Sequence, residues 1–102
     1  IALPGRGGAL ITGVFDDHIA FGAIELVSEA AADIFVTYLD ATGSARWAAH
    51  LWSPGEHWVQ DVAVSRDSAY VIGGFKESLT VNETQLLGTD NSSMFILSLP
   101  LL

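Results

Sequence analysis

The sequence predicts an all-β fold of antiparallel sheets, and three observations predict it. Apolar and polar residues alternate with a period of two over short runs rich in β-branched and aromatic side chains, the pattern of strands. Clusters of Gly, Asp, Asn, Ser and Pro separate those runs. The chain also matches itself without a gap at an offset of 60, which sets Gly13 on Gly73, Phe15 on Phe75, Leu26 on Leu86, Phe35 on Phe95 and Leu39 on Leu99. Ile11/Val71, Ile19/Leu79, Phe21/Val81, Ile34/Met94 and Val36/Ile96 are conservative matches in the same register. A repeat of that length with several short strands per unit reads as blade-like sheets. The alternative is a small β-sandwich, with two half-built units face to face. On the first reading residues 1–102 are a single β-repeat domain, with unit one over about 1–57 and a partial unit two over about 58–102.

Taken in order, residues 1–4 give a poor residual strand before the breaker cluster Pro4-Gly5-Arg6-Gly7-Gly8. Residues 9–15 (ALITGVF) read as a strand, and Asp16-Asp17-His18 as a polar turn. Residues 19–26 read as a weaker strand interrupted by Gly22. Residues 28–32 have the composition of a helical turn too short to stand alone. In 33–40 Ile34, Val36 and Tyr38 share one face and Phe35, Thr37 and Leu39 the other. Asp40-Ala41-Thr42-Gly43 then predicts a type I turn with Gly43 at positive φ, and 45–52 the return strand. After the loop Ser53-Pro54-Gly55-Glu56, residues 58–64 alternate with Trp58, Gln60, Val62 and Val64 on one face. Residues 69–75, 78–87 and 94–99 complete the strands, and Pro100 ends the ladder. Phe15, Phe35, Phe75 and Phe95 are expected to be buried in matching environments.

Composition narrows the function classes. Twelve acidic residues against four basic ones give a formal charge of −8, which repels phosphate backbones and argues against a nucleic-acid partner. Without cysteine there is neither a disulfide framework nor thiolate chemistry. The apolar run 94–102 is broken by Ser98 and Pro100 and falls far short of the ~20 residues of a membrane span, so no membrane insertion is expected. The N-terminus has no initiator Met, basic n-region or apolar h-region, so the chain is expected to be processed or an internal piece.

Gly13, Phe15, Phe21, Asp33-Ile34-Phe35-Val36, Leu39-Asp40-Ala41-Thr42-Gly43, Trp47-Ala48, Asp61-Val62-Ala63-Val64 and Ala69-Tyr70-Val71-Ile72-Gly73 form a spaced pattern over about residues 8–99. It resembles the tandem β-propeller (SBBP-like) repeats of bacterial cell-surface and secreted proteins. The resemblance implies an extracellular or cell-surface location and says little about activity, because such folds serve many roles. Ser65-Arg66-Asp67-Ser68 lacks the usual turn glycine, Ser93-Met94-Phe95 replaces Asp-x-Phe, and Pro100 stands where Asp40 stood. Two units fall short of a ring of about four to eight blades, so self-association or further repeats of a longer chain are expected as partners.

The residues able to carry chemistry are few. Trp52, His57 and Trp58 flank a Pro-Gly loop, and exposed indoles there would suit stacking on a glycan; the rival reading packs Trp47, Trp52 and Trp58 between sheets. Ser53, His57 and Asp61 are the residue types of a hydrolase triad, but they are sequential on a loop and strand, with no nucleophile elbow. No catalytic residue is therefore assigned, and the chain is not expected to be an enzyme. Asp16, Asp17, His18 and Glu25 have too few alternating oxygens for a calcium loop, so neither metal nor cofactor is expected. Asn82-Glu83-Thr84 and Asn91-Ser92-Ser93 match the N-glycosylation pattern, and in the bacterial source that the resemblance implies they read as plain turns. The expected function is a non-catalytic structural, adhesive or protein-interaction scaffold. The alternative is a small carbohydrate-binding domain using the Trp52–Trp58 loop.

Overall fold

A computed structural model describes residues 7–28, 32–88 and 92–101. The residual strand read at 1–4, most of the helical turn read at 28–32, and Asn91 of the second glycosylation pattern lie outside the described residues. The described residues form ten strands: β1 (Ala9–Phe15), β2 (His18–Phe21), β3 (Ile24–Val27), β4 (Asp33–Leu39), β5 (Ala45–Trp52), β6 (His57–Ser65), β7 (Ser68–Phe75), β8 (Ser78–Val81), β9 (Thr84–Leu87) and β10 (Ser93–Pro100). They make a five-stranded sheet in the order β1-β4-β5-β8-β9, a three-stranded sheet β10-β7-β6 and the two-stranded hairpin β2-β3. Every pair is antiparallel, as the fold class read from the sequence requires.

Two segments read as single strands are hairpins. Residues 19–26 fold as β2–β3 and residues 78–87 as β8–β9, each around a two-residue turn closed by Phe21↔Ile24 or Val81↔Thr84. The first turn residue carries the positive φ, +63° at Gly22 and +53° at Asn82. Gly and Asn tolerate that conformation, so Gly22 reverses the chain where it was read as weakening a strand.

The β4–β5 hairpin follows its turn chemistry. Gly43 has φ +85°, and its N–H donates to the Asp40 carbonyl at 2.9 Å. Asp40 Oδ1 accepts from the Thr42 hydroxyl at 2.6 Å and from the Thr42 and Ser44 amides at 3.0 and 3.1 Å. A bulge between Tyr38 and Leu39 accommodates the extra residue. A second bulge, between Val59 and Asp61, breaks the alternation of β6 at Gln60. Trp58 consequently pairs with Gly74 while Val62 pairs with Val71, which puts Trp58 on the opposite face from Val62. The single face read for Trp58, Gln60, Val62 and Val64 is thereby corrected.

Strand pairing recurs at the offset of 60. Ala9↔Leu39 and Gly13↔Phe35 in β1–β4 have their counterparts in Ala69↔Leu99 and Gly73↔Phe95 in β7–β10. Each phenylalanine lies across its glycine: a Cβ on Gly13 would stand 2.7 Å from the Phe35 ring, and one on Gly73 2.9 Å from the Phe95 ring. The Phe15–Phe35 and Phe75–Phe95 centroid distances are both 6.4 Å. Phe15, Phe75 and Phe95 are buried, whereas Phe35 is only half-buried. The matching environments expected for all four therefore fail at Phe35. The reason is the face: Phe95 lies on the odd-numbered side of β10, which joins the shared core, whereas Phe35 lies on the odd-numbered side of β4, which does not.

One core joins the two larger sheets. Leu10, Ile34, Val36, Tyr38, Ala49 and Leu51 enter it from one side, and Val62, Ala69, Val71, Phe75 and Phe95 from the other. In β4 the core residues are the even-numbered ones; in β10 Phe95 is joined by Leu97 and Leu99, the odd-numbered ones. Equivalent strands thus turn opposite faces to the shared core. Each of these larger aliphatic side chains contributes about 1.5–3 kcal/mol by leaving water.

Candidate functional site

The β5–β6 connection sits where two clefts adjoin. One, of about 360 Å³, runs between β1, the start of β4 and the start of β6, lined by Thr12, Val14, Ile34, His57, Trp58 and Val59 among others. The second, of about 490 Å³, is lined by Ser53, Pro54, Gly55, Glu56, His57 and Trp58 with Ala32. His57 and Trp58 border both.

Local hydrogen bonds fix this loop. The buried Ser53 hydroxyl donates to the Lys76 carbonyl at 3.1 Å and accepts from the Gly55 amide at 3.1 Å. The Lys76 amide donates to the Glu56 carbonyl at 2.9 Å, which tethers the loop to the end of β7. His57 Nδ1 lies 3.0 Å from the Gly55 carbonyl. A carbonyl only accepts, so Nδ1 carries the proton and Nε2 of the neutral ring is left as an acceptor. Nε2 is buried and has no hydrogen-bond partner. Trp58 is half-buried, its ring laid over Gly74, where a Cβ would overlap it.

The structure gathers part of the predicted ligand site. His57 and Trp58 share the clefts, while Trp52, half-buried in β5 opposite Thr80, lines neither. Trp47 is half-buried against the core, 6.4 Å from Tyr38, with its indole N–H unpartnered. Ser53 and His57 are each bonded to Gly55, and the Ser53 proton is directed at Lys76, so the serine is not set up as a nucleophile on the imidazole. Asp61 accepts from the adjacent Val62 amide at 2.9 Å and is exposed.

Around the polar turn, Asp17 has φ +66° and Asp16 Oδ1 accepts its amide at 3.0 Å. His18 Nδ1 lies 3.3 Å from Asp17 Oδ2 in an exposed pair. Among the described residues no group of three or more His, Cys, Asp or Glu is gathered as a metal site.

A polar pair not anticipated from sequence lies on the other face of the five-stranded sheet. The Asp33 carboxylate is 0% exposed and meets His50 Nε2 at 2.5 Å, with the His50 ring 5.4 Å from Phe15. Its partial signal was the replacement of Asp33 by Ser93 in the second unit. The 17-residue separation and strand pairing that join Asp33 to His50 carry no local motif. Buried charge needs a partner of this kind, which makes the pair a structural element.

Compared with known protein families, characterised proteins and solved structures, the chain has no match.

Proposed function

We propose that this chain is a non-catalytic, extracytoplasmic repeat module of the β-propeller type, related to the SBBP-like repeats it resembles, and that it acts as a structural, adhesive or protein-interaction scaffold. The supporting observation is how the larger sheets meet. A symmetric sandwich brings equivalent faces together; here the even-numbered face of β4 meets the odd-numbered face of β10 through the shared core. A head-to-tail contact of that kind can be repeated by another unit. Hairpin β8–β9 adds to the coupling, since it belongs to the second repeat by sequence but joins the sheet of β5. The partners are further copies of the unit, on this chain or another. The hydrogen bonds that Ser53 and His57 make elsewhere support the non-catalytic reading.

Chains lengthened by further copies of residues 1–60 test the proposal. The urea midpoint rises with copy number, because each unit covers its neighbour. A midpoint independent of copy number overturns it.

A second reading is a carbohydrate-binding site at the His57–Trp58 cleft. It is favoured by Trp58, whose indole borders both clefts beside His57. A glycan array separates the readings. Binding that disappears in Trp58→Ala selects the lectin, and no binding by wild type removes it.

A further inference from the structure

We propose that the outer edge of β2, from Ala20 to Gly22, receives an added antiparallel strand of the β5 type supplied by another repeat unit. The proposal rests on the repeat reading above and names the partner of one edge.

The template is the second hairpin. β8 has β9 on one side and β5 on the other, with Trp52 opposite Thr80 and Leu51 opposite Val81. The Asn82 amide donates to the His50 carbonyl at 2.8 Å, and Asn82 Oδ1 accepts the His50 amide at 3.0 Å. This clips the hairpin tip to β5. Hairpin β2–β3 has the same internal register, the same turn length and positive φ at the same turn position. Its base is fastened in the same way, Ser28 N–H to the Asp17 carbonyl at 2.8 Å against Gly88 N–H to the Glu77 carbonyl at 2.7 Å. Yet among the described residues β2 has no hydrogen-bonded strand neighbour but β3, although Phe21 packs 5.2 Å from the Phe35 ring of β4.

The edge has the polarity to accept one. Phe21 and Ile24 close the two-residue turn, so their backbone groups bond each other. The amide and carbonyl of Ala20 and the amide of Gly22 then face outward, as those of Thr80 and Asn82 face β5. Ala20 and Gly22 are exposed. Ile19 is half-buried where its counterpart Leu79 is 0% exposed in the core beside β5.

The register names the occupant. It is an extended segment with an aromatic residue opposite Ala20, a branched aliphatic residue opposite Phe21, and a free backbone amide and carbonyl at Gly22, the pattern His-Leu-Trp of residues 50–52. Gly22 supplies the N–H but lacks the side-chain acceptor of Asn82.

A titration of the ¹⁵N-labelled full chain with a synthetic peptide of residues 44–54, and with its scrambled version, tests this. The native-order peptide shifts the amides of Ala20, Phe21 and Gly22, and the scrambled one does not. Gly22→Asn binds about two- to tenfold tighter, the worth of one net hydrogen bond. Ala20→Pro removes an outward N–H without touching the β2–β3 ladder and abolishes the response. The proposal is overturned by no shift up to millimolar peptide, by shifts confined to other strands, or by equal binding in wild type and both variants. If lengthened chains still gain stability with copy number, such a result removes this edge and leaves the repeat reading standing.

Discussion

Ile34 and Met94 hold equivalent places, opposite Val14 in β4–β1 and opposite Gly74 in β10–β7, yet they are 3% and 62% exposed. Val36 and Ile96, two residues on, are 0% and 74% exposed. Sequence, pairing register and the packing of phenylalanine on glycine are alike in the two strand pairs; only the surroundings differ. β4 lies between β1 and β5, and its even-numbered face enters the core shared with the β10-β7-β6 sheet. β10 has β7 as its only strand neighbour among the described residues. The hairpins repeat the lesson, since β8–β9 is docked on β5 and β2–β3 has no such neighbour there. Register is settled within each strand pair, and burial is settled by what another element lays against it.

The largest expected effect comes from the buried Asp33–His50 pair, since Ser93 stands at the position equivalent to Asp33. His50→Ala leaves the Asp33 carboxylate buried without its imidazole and destabilises the fold by about 3–5 kcal/mol in urea unfolding. Asp33→Ser on top of His50→Ala makes this site resemble Ser93 of the second unit and recovers part of that loss. If His50→Ala costs nothing, the pair does not distinguish the units.

Truncation probes the strands themselves. Ile34→Ala empties a core position and costs about 2–5 kcal/mol. Met94→Ala, at the equivalent exposed position, stays within about 0.5 kcal/mol. Equal losses in thermal melts would mean that the two faces are equally covered in solution.

A smaller effect is expected at the hairpin tips. Asn82→Ala removes the side-chain acceptor for the His50 amide and lowers stability by about 0.5–1.5 kcal/mol. Faster hydrogen exchange at His50, with β2–β3 unaffected, is the accompanying signature.

The smallest effect is the pH dependence of the β4–β5 turn. The Thr42 hydroxyl and Ser44 amide bonds, with help from Arg46, hold the Asp40 carboxyl below its ordinary value of 3.8. A carboxyl whose folded value is lowered contributes its stability in full above the unfolded value, and loses it as pH falls through the folded one. The turn therefore weakens only below about pH 4. Asp40→Asn flattens that part of the acid-unfolding curve, and an unchanged curve would show that Asp40 carries none of it.

Much of the architecture was legible because it is local. Period-two alternation marked β4, strand-like composition marked β1, β5 and β7, and Asp40 and Gly43 marked the β4–β5 turn. The offset of 60 set Gly13 and Phe35 on Gly73 and Phe95, but the pairing of β1 with β4 and of β7 with β10 was not legible because it joins distant segments. The hairpin turn at Gly22 was misread because a single glycine within an apolar run equally fits a weakened strand, and only chain reversal distinguishes the two; at Asn82 the polar stretch 82–84 was read as a turn, and the chain does reverse there. Of the site, the loop bearing His57 and Trp58 was legible from its aromatic and Pro-Gly composition. The separation of Trp52 from it was not, because the strand pairing that carries Trp52 to Thr80 spans distant parts of the chain.

All-β character, the course of most strands and the self-match at an offset of 60 were already in the sequence. The first two follow from backbone sterics, side-chain period and turn residues, which act over a few positions. Tertiary structure alone decided which face of each pair is core. A strand that alternates Ile34, Val36 and Tyr38 with Phe35 and Leu39 offers an apolar face on both sides, and the pleat does not choose between them. The choice is made by the sheet that arrives, which buries the even face of β4 and the odd face of β10. The same contacts bring His50 to Asp33 and leave His57 Nε2 buried without a partner, because long-range packing selects which polar atoms meet.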